Sequence, residues 1–190
     1  MPSNTKTSAN KPSWSAVRKQ LSQLEKTALL DLVKDLYQTS ASNKDFLHVR
    51  CLASCGGEAA FESYRQKAIE PFYPKRGEAK LKLGEARKAI RQYRRATGDL
   101  PGTAELLMTY VENGVAFTNE YGDIDERFYS SIESALDELA DLLREEGVPL
   151  YRKFSKRLAT VERETDGIGW GFHDYVSDVV SQLASDFGNE

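Results

Sequence analysis

The chain has 190 residues, of which 40% are hydrophobic and 29% are charged, and its formal net charge is −3. This length fits one ordinary domain or two very small ones, and the near-neutral charge does not favour a protein that binds polyanions over its whole surface. No apolar run reaches the roughly 18 residues of a spanning helix, so no membrane association is expected. Two cysteines are too few for a disulfide scaffold, which favours a reducing, cytoplasmic setting.

The first twelve residues are rich in Ser, Thr, Asn and Lys and show no apolar periodicity. They also lack the apolar core of a secretory signal peptide. We therefore predict a disordered lead-in over residues 1–12, followed by a single helical domain over residues 13–190.

Apolar residues recur at helical spacing in nine segments of that domain. No segment shows the sustained period-two alternation of a half-buried strand. The sequence therefore predicts an all-α fold, either an irregular helical bundle or a short α–α superhelix of about nine helices. In chain order, the predicted helices cover residues 14–21, 25–39, 42–55, 58–70, 84–96, 103–121, 124–146, 150–164 and 172–187.

Capping and helix-breaking residues set these boundaries. Ser13 is a candidate N-cap for the first helix, and Gly56-Gly57 is expected to end the third. Pro71 stops the fourth helix, while Gly98 and Pro101-Gly102 separate the fifth from the sixth. Such short turns favour antiparallel packing of consecutive helices.

Charge is segregated along the chain. Residues 75–98 hold nine bases and two acids, whereas residues 99–147 hold two bases and thirteen acids. Arg87, Arg91 and Arg94 recur at i, i+4 and i+7 and form a basic ridge on the fifth helix. This ridge could bind nucleic-acid phosphates or an acidic partner. The favoured interpretation is that the neighbouring acidic helix compensates it or that it is a solvated face, because opposite charges on adjacent helices usually compensate each other. No helix-turn-helix spacing accompanies the ridge, which disfavours DNA binding.

One unusual segment is Phe117 to Glu126, FTNEYGDIDE. Gly122 can end one helix, and Asp123 with Glu126 would form a capping box for the next. Counted at about 100° per residue, Asp125 is expected on the inward face of that helix. A carboxylate there needs a partner, because an unpaired buried charge is costly.

A second unusual segment is Gly167 to Asp174, GIGWGFHD. Alternating glycines ahead of a helix can present backbone N–H groups to an anion. The turn also carries Trp170, a candidate binding residue, and His173 at the edge of an apolar face. A histidine in this place can line a cleft, although a structural role is more frequent.

These two segments could together form a site. If the two helix starts meet, Glu120, Asp123, Asp125 and His173 would make an oxygen-rich cluster with one imidazole. Such a cluster could bind a divalent ion that activates water or supply an acid and a base. Equally, Asp125 and His173 could form a buried structural pair.

A third candidate set consists of His48, Cys51 and Cys55, spaced i, i+3 and i+7 on one predicted helix. Zinc accepts these ligand types, but its usual sites add a distant second pair of ligands. Plain packing of the cysteines is the favoured interpretation, because free cysteines are often buried.

Three segments together, Pro71 to Gly77 (PFYPKRG), FTNEYGDIDE and GIGWGFHD, resemble an uncharacterised family of bacterial domains of unknown function. The resemblance covers about residues 14–180. It implies a bacterial, cytoplasmic, helical domain, and it supplies no activity or functional residues.

Three functions follow from these observations, and whether the chain is an enzyme stays open. The first is a helical domain that binds an unknown protein partner, through the basic ridge or the aromatic turn Phe72-Tyr73. The second is a small hydrolase or metal-binding enzyme centred on Asp125 and His173, with a divalent metal as the cofactor to consider and no other predicted. The third is nucleic-acid binding through residues 84–96.

Overall fold

The computed structural model describes residues 13–188, except for the side chains of residues 53–57 and 60. Within that range the chain forms nine α-helices and no strand, so the predicted all-α class is confirmed. The lead-in predicted over residues 1–12 lies outside the described residues. The helices are α1 (Trp14–Leu21), α2 (Lys26–Thr39), α3 (Ala41–Cys51), α4 (Ala53–Ile69), α5 (Leu83–Thr97), α6 (Leu100–Tyr121), α7 (Glu126–Glu146), α8 (Val148–Glu164) and α9 (Phe172–Phe187).

The chain divides into two units, Met1–Lys44 and Asp45–Glu190. The described part of the first unit contains α1, α2 and the beginning of α3. The second unit contains the end of α3 and helices α4 to α9. All the side chains that are buried in the described part of the chain belong to the second unit.

Helix α6 is the centre of the second unit. It packs against α4, α5, α7 and α8. Its buried residues lie on all sides of the helix axis and include Leu106, Leu107, Met108, Tyr110 and Val111. A helix that is apolar all round is typical of a bundle interior, and the unit is accordingly an irregular helical bundle built around α6.

Several predicted boundaries are confirmed. The Ser13 side chain accepts a hydrogen bond from the Ala16 N–H at 3.4 Å and caps α1. Helix α4 ends at Ile69, two residues before Pro71. Helix α5 ends at Thr97 and is capped by Gly98, whose φ of 67° is the left-handed conformation that glycine adopts without a steric penalty.

The prediction that Gly56-Gly57 ends the third helix is wrong. Helix α3 ends at Cys51, Leu52 leaves helical geometry with φ −118° and ψ 23°, and both glycines lie inside α4. Glycine lowers helix propensity by about 1 kcal/mol per residue, which tertiary packing can override. Helix α4 has that packing, because it lies against both α5 and α6.

The boundary predicted at Pro101-Gly102 is also wrong, because α6 begins three residues earlier than expected. Asp99 is the N-cap, and its carboxylate accepts a hydrogen bond from the Gly102 N–H at 2.9 Å. Proline fits the first turn of a helix, where its missing N–H would have no partner within the helix. The same residues that suggested a break therefore begin the helix.

Across residues 13–188, no helix is both long enough and apolar enough to cross a lipid bilayer.

Candidate functional site

The two unusual segments of the sequence meet at one end of the second unit. The α6–α7 turn (residues 122–125) and the α8–α9 turn (residues 165–171) lie side by side, and we call them the paired turns. The Asn119 side chain donates a hydrogen bond to the Glu164 carbonyl at 2.8 Å. A Cβ added to Gly169 would stand 3.3 Å from a carboxylate oxygen of Asp123. This glycine therefore allows the second turn to approach the first.

A hydrogen-bond network fixes the first of the paired turns. The buried Tyr129 hydroxyl donates to the Asp123 carboxylate at 2.9 Å and lies 2.7 Å from the Thr118 hydroxyl. Thr118 in turn donates to the Gly122 carbonyl at 3.1 Å. Burial raises the pKa of Tyr129, which keeps its hydroxyl protonated as the donor to Asp123. Asp123 thus anchors the turn to the core.

Asp125, predicted to face inward, instead caps α7. Its side chain is exposed and accepts a hydrogen bond from the Phe128 N–H at 2.8 Å. The capping box predicted from Asp123 and Glu126 is wrong for the same reason, because α7 begins at Glu126 rather than at residue 124. Residues 122–125 are not helical, so an angle counted from Ile124 does not describe where Asp125 points.

His173 is held by the second of the paired turns. Its Nδ1 atom lies 2.9 Å from the hydroxyl of Thr165, which is fully buried. That hydroxyl donates its only proton to the Glu162 carbonyl at 2.7 Å. With that bond made, Nδ1 is the donor to Thr165 in this contact.

The four predicted site residues do not form one cluster. No ion pair or hydrogen bond in the described structure joins Asp125 to His173, since Asp125 accepts from the Phe128 N–H and His173 contacts the Thr165 hydroxyl. Burial of its phenol and the neighbouring Glu120 carboxylate raise the pKa of Tyr73 to about 12, so Glu120 lies beside Tyr73. Among the residues whose side chains are described, no group of three or more His, Cys, Asp and Glu residues is placed to hold a metal ion.

The weak zinc candidates are not on one helix as predicted. Cys51 is the last residue of α3 and is exposed, whereas Cys55 lies on α4 beyond the break at Leu52. The break removes the i, i+3, i+7 register that would have aligned them with His48. The side chain of Cys55 lies outside the described residues.

The basic ridge is partly covered by the acidic helix α7. Arg87 donates to the Glu138 carboxylate at 2.5 Å, and only 8% of its side chain is exposed. Arg94 lies 3.8 Å from Glu145 with both side chains about half exposed. Arg91, between them, is exposed. The ridge is therefore not a continuous free surface, because its first arginine belongs to the α5–α7 contact.

The predicted aromatic contact turn is also part of the core. Phe72 is buried, and its ring centroid lies 5.2 Å from that of Tyr110 and 6.1 Å from those of Phe117 and Phe128. Tyr73 is half-buried against Phe117. The pair therefore joins α4 to the bundle instead of facing a partner.

Two other aromatic residues are exposed at the paired turns. Trp170 is 62% exposed and Tyr121, at the end of α6, is 61% exposed. Trp170 has a φ of 62°, a left-handed conformation that costs a non-glycine residue free energy. The sequence indicated Trp170 through its glycine-rich turn. Tyr121 lies about one helical turn beyond Thr118, the last buried residue of α6.

The largest set of exposed apolar residues lies in the first unit. No residue of α1 or α2 is buried. On α2, Leu30 is 58% exposed and Leu36 is 51% exposed. The apolar periodicity of α2 predicted a helix within the packed domain. Periodicity identifies the apolar side of a helix, but it does not show whether another element covers that side. We define the α2 apolar face as Leu29, Leu30, Leu32, Val33 and Leu36.

Two features of the described structure bear on function, the paired turns and the α2 apolar face. The paired turns hold capping and positioning hydrogen bonds, while the α2 apolar face has no buried residue. The resemblance to a bacterial domain family stays a prediction. No family model, no curated protein and no solved structure matches this chain.

Proposed function

We propose that this chain is a helical protein-interaction domain of a bacterial cytoplasmic protein and that it binds its partner through the α2 apolar face. One observation carries the proposal. Leu29, Leu32, Val33 and Leu36 repeat at the i, i+3, i+4, i+7 spacing of a packing helix, yet no residue of α2 is buried. The bacterial and cytoplasmic assignments rest on the family resemblance and on cysteine usage.

The physical basis is the instability of a short amphipathic helix by itself. Helix α2 has 14 residues, and isolated helices of about this length are marginal in water. Most helical stability in proteins comes from burying the apolar side. A fully buried leucine contributes about 1.5–3 kcal/mol relative to an exposed one. A partner that covers the α2 apolar face would therefore stabilise both the helix and the complex.

The paired turns support an interaction domain rather than an enzyme. Asp125 and His173 were the predicted catalytic pair, and their hydrogen bonds go to the Phe128 N–H and the Thr165 hydroxyl. The first contact caps the start of α7, and the second joins the first turn of α9 to Thr165 at the end of α8. The α2 apolar face has no comparable structural explanation within its own unit.

Two full-length variants test the proposal. Leu36→Glu places a charge on the α2 apolar face, and Gln38→Glu places the same charge on the opposite, exposed side of the helix. Proteins retained by the wild-type chain from its native cells would be identified, purified and titrated against all three chains. We expect at least a tenfold weaker Kd for Leu36→Glu and a change of less than twofold for Gln38→Glu.

Equal Kd values for the two variants would reject the α2 apolar face as the contact surface. Failure of any purified protein to bind the wild-type chain would reject the interaction-domain proposal itself. Circular dichroism of both variants checks that the bundle of the second unit is intact, since that unit contains all the described buried residues.

A further inference from the structure

We infer that α2 is the inserted helix of a helix-in-groove complex and that its partner is a different protein with an apolar groove between two helices. This inference rests on the proposed function and adds the kind of partner. It follows from the width of the α2 apolar face, from its area and from its charge.

The width of the face argues for a groove. Counted at about 100° per residue, the α2 apolar face extends over about 160°, with Leu30 at one edge and Leu32 at the other. Both edge residues are exposed. One neighbouring helix covers the narrower stripe of a coiled-coil contact. Covering both edges needs two surfaces, one on each side of α2, as in complexes where an amphipathic helix lies in a groove.

The area of the face argues against a second copy of α2 as the occupant. A helix of 14 residues is about 21 Å long. Two such helices side by side would bury on the order of 400 Å² in total, well below the roughly 1,200 Å² of a stable interface. A groove that encloses about 160° of the helix would bury roughly twice as much, which fits a weaker, reversible complex.

The charge of α2 indicates an apolar partner surface. The helix carries two lysines, Lys26 and Lys34, and two aspartates, Asp31 and Asp35, so its side chains have no net charge. Such a helix gains little from long-range attraction. We therefore expect an affinity that changes less than twofold between low and moderate salt, because apolar contacts are not screened.

A photo-crosslinking scan of the full-length chain tests the groove. A photoreactive residue would replace Leu30, Leu32, Val33 or Asp31 in separate chains, which are irradiated in the native cells. The first three lie at the two edges and the centre of the α2 apolar face, and Asp31 lies opposite. We expect adducts to one partner from the first three positions and none from Asp31. Peptide mapping should place the Leu30 and Leu32 crosslinks on two different helices of that partner.

Other outcomes would overturn the inference in distinguishable ways. Crosslinks from Val33 but from neither edge would reject the groove and leave the interaction-domain proposal intact. Adducts of twice the mass of the chain would identify a second copy and reject a different protein as the occupant. Absence of adducts at all four positions would reject both the groove and the α2 apolar face as a binding surface.

Discussion

The guanidinium of Arg87 on α5 donates to the Glu138 carboxylate on α7 at 2.5 Å, and the two side chains differ greatly in exposure. Arg87 is 8% exposed, whereas Glu138 is 41% exposed. Arg87 also donates to the Ser134 carbonyl at 3.3 Å, while its Nη1 is buried without a hydrogen-bond partner among the described residues. Burial lowers the pKa of Arg87 despite the carboxylate beside it.

This asymmetry predicts unequal effects of removing each partner. Glu138→Gln leaves a buried guanidinium without its counter-charge and should lower the free energy of unfolding by about 2 kcal/mol. Arg87→Met removes the buried charge and leaves a carboxylate that water can solvate, so we expect a change within about 1 kcal/mol. Urea unfolding of the two variants measures both values.

The exposed pair on the same two helices is the matched control. Arg94 and Glu145 lie 3.8 Å apart and are both about half exposed. Such pairs contribute about 0–1 kcal/mol, so Glu145→Gln should change stability by less than about 0.5 kcal/mol. Equal losses for Glu138→Gln and Glu145→Gln would show that burial of Arg87 does not control the energetics of this contact.

Local residue chemistry was sufficient to predict the fold class and several helix ends. Ser13 at the start of α1 and Gly98 at the end of α5 have side-chain and backbone properties that determine their roles directly. Gly56-Gly57 misled the prediction because packing against α5 and α6, which a single sequence does not reveal, maintains α4 through both glycines.

The candidate site was predictable only in part. The sequence identified the paired turns but not which aspartate caps α7, because Asp123 and Asp125 are both chemically able to do so. The hydroxyl of Tyr129, a buried core residue, donates to Asp123 and holds it in the turn. Asp125 is therefore the residue that caps α7. Periodicity likewise placed Arg87 on a ridge, whereas its burial depends on the approach of α7.

Close packing of α6 against α7 leads to a second prediction. A Cβ added to Gly114 would overlap the Cδ1 atom of Ile132, which is fully buried. The cost of overpacking exceeds the gain in helix propensity, so Gly114→Ala should destabilise the chain by about 1–2 kcal/mol.

Gly84 at the start of α5 supplies the comparison. An added Cβ there meets nothing within 4 Å, so Gly84→Ala should stabilise the chain by about 0.5 kcal/mol through the unfolded state. Thermal unfolding of both variants measures the difference. If Gly114→Ala also raises the melting temperature, Ile132 repacks without cost and the contact is looser than described.

The third prediction concerns the alkaline titration of Tyr73. Burial and the neighbouring Glu120 carboxylate raise its pKa from 10 to about 12. Below pH 10 the phenol is neutral in the folded and unfolded chains. Between pH 10 and 12 it ionises first in the unfolded chain, so the stability contributed by Tyr73 is lost as pH rises through this range.

Tyrosinate absorbance measures this titration. The difference between wild type and Tyr73→Phe should show a transition near pH 12, and Glu120→Gln should move it to lower pH by removing the neighbouring charge. In Glu120→Gln the midpoint of the Tyr73 transition should stay above pH 10, because burial, the larger cause of the raised pKa, remains. An unchanged midpoint in Glu120→Gln would show that Glu120 does not act on Tyr73.

The fourth prediction separates a helix cap from a functional carboxylate at Asp125. A cap needs only an oxygen that accepts the Phe128 N–H, which the asparagine side chain also offers. Asp125→Asn should therefore change the free energy of unfolding by less than about 0.5 kcal/mol, and Asp125→Ala should lower it by about 1 kcal/mol.

The same pair of variants decides the role of the residue in binding. Neither should change the Kd for a partner held by the α2 apolar face, because Asp125 is not one of the residues of that face. A carboxylate that binds a cation or moves a proton would instead lose its function in both variants, since asparagine carries no charge and takes up no proton. An equal loss of affinity for any ligand in Asp125→Asn and Asp125→Ala would therefore contradict the capping role as a full account of Asp125.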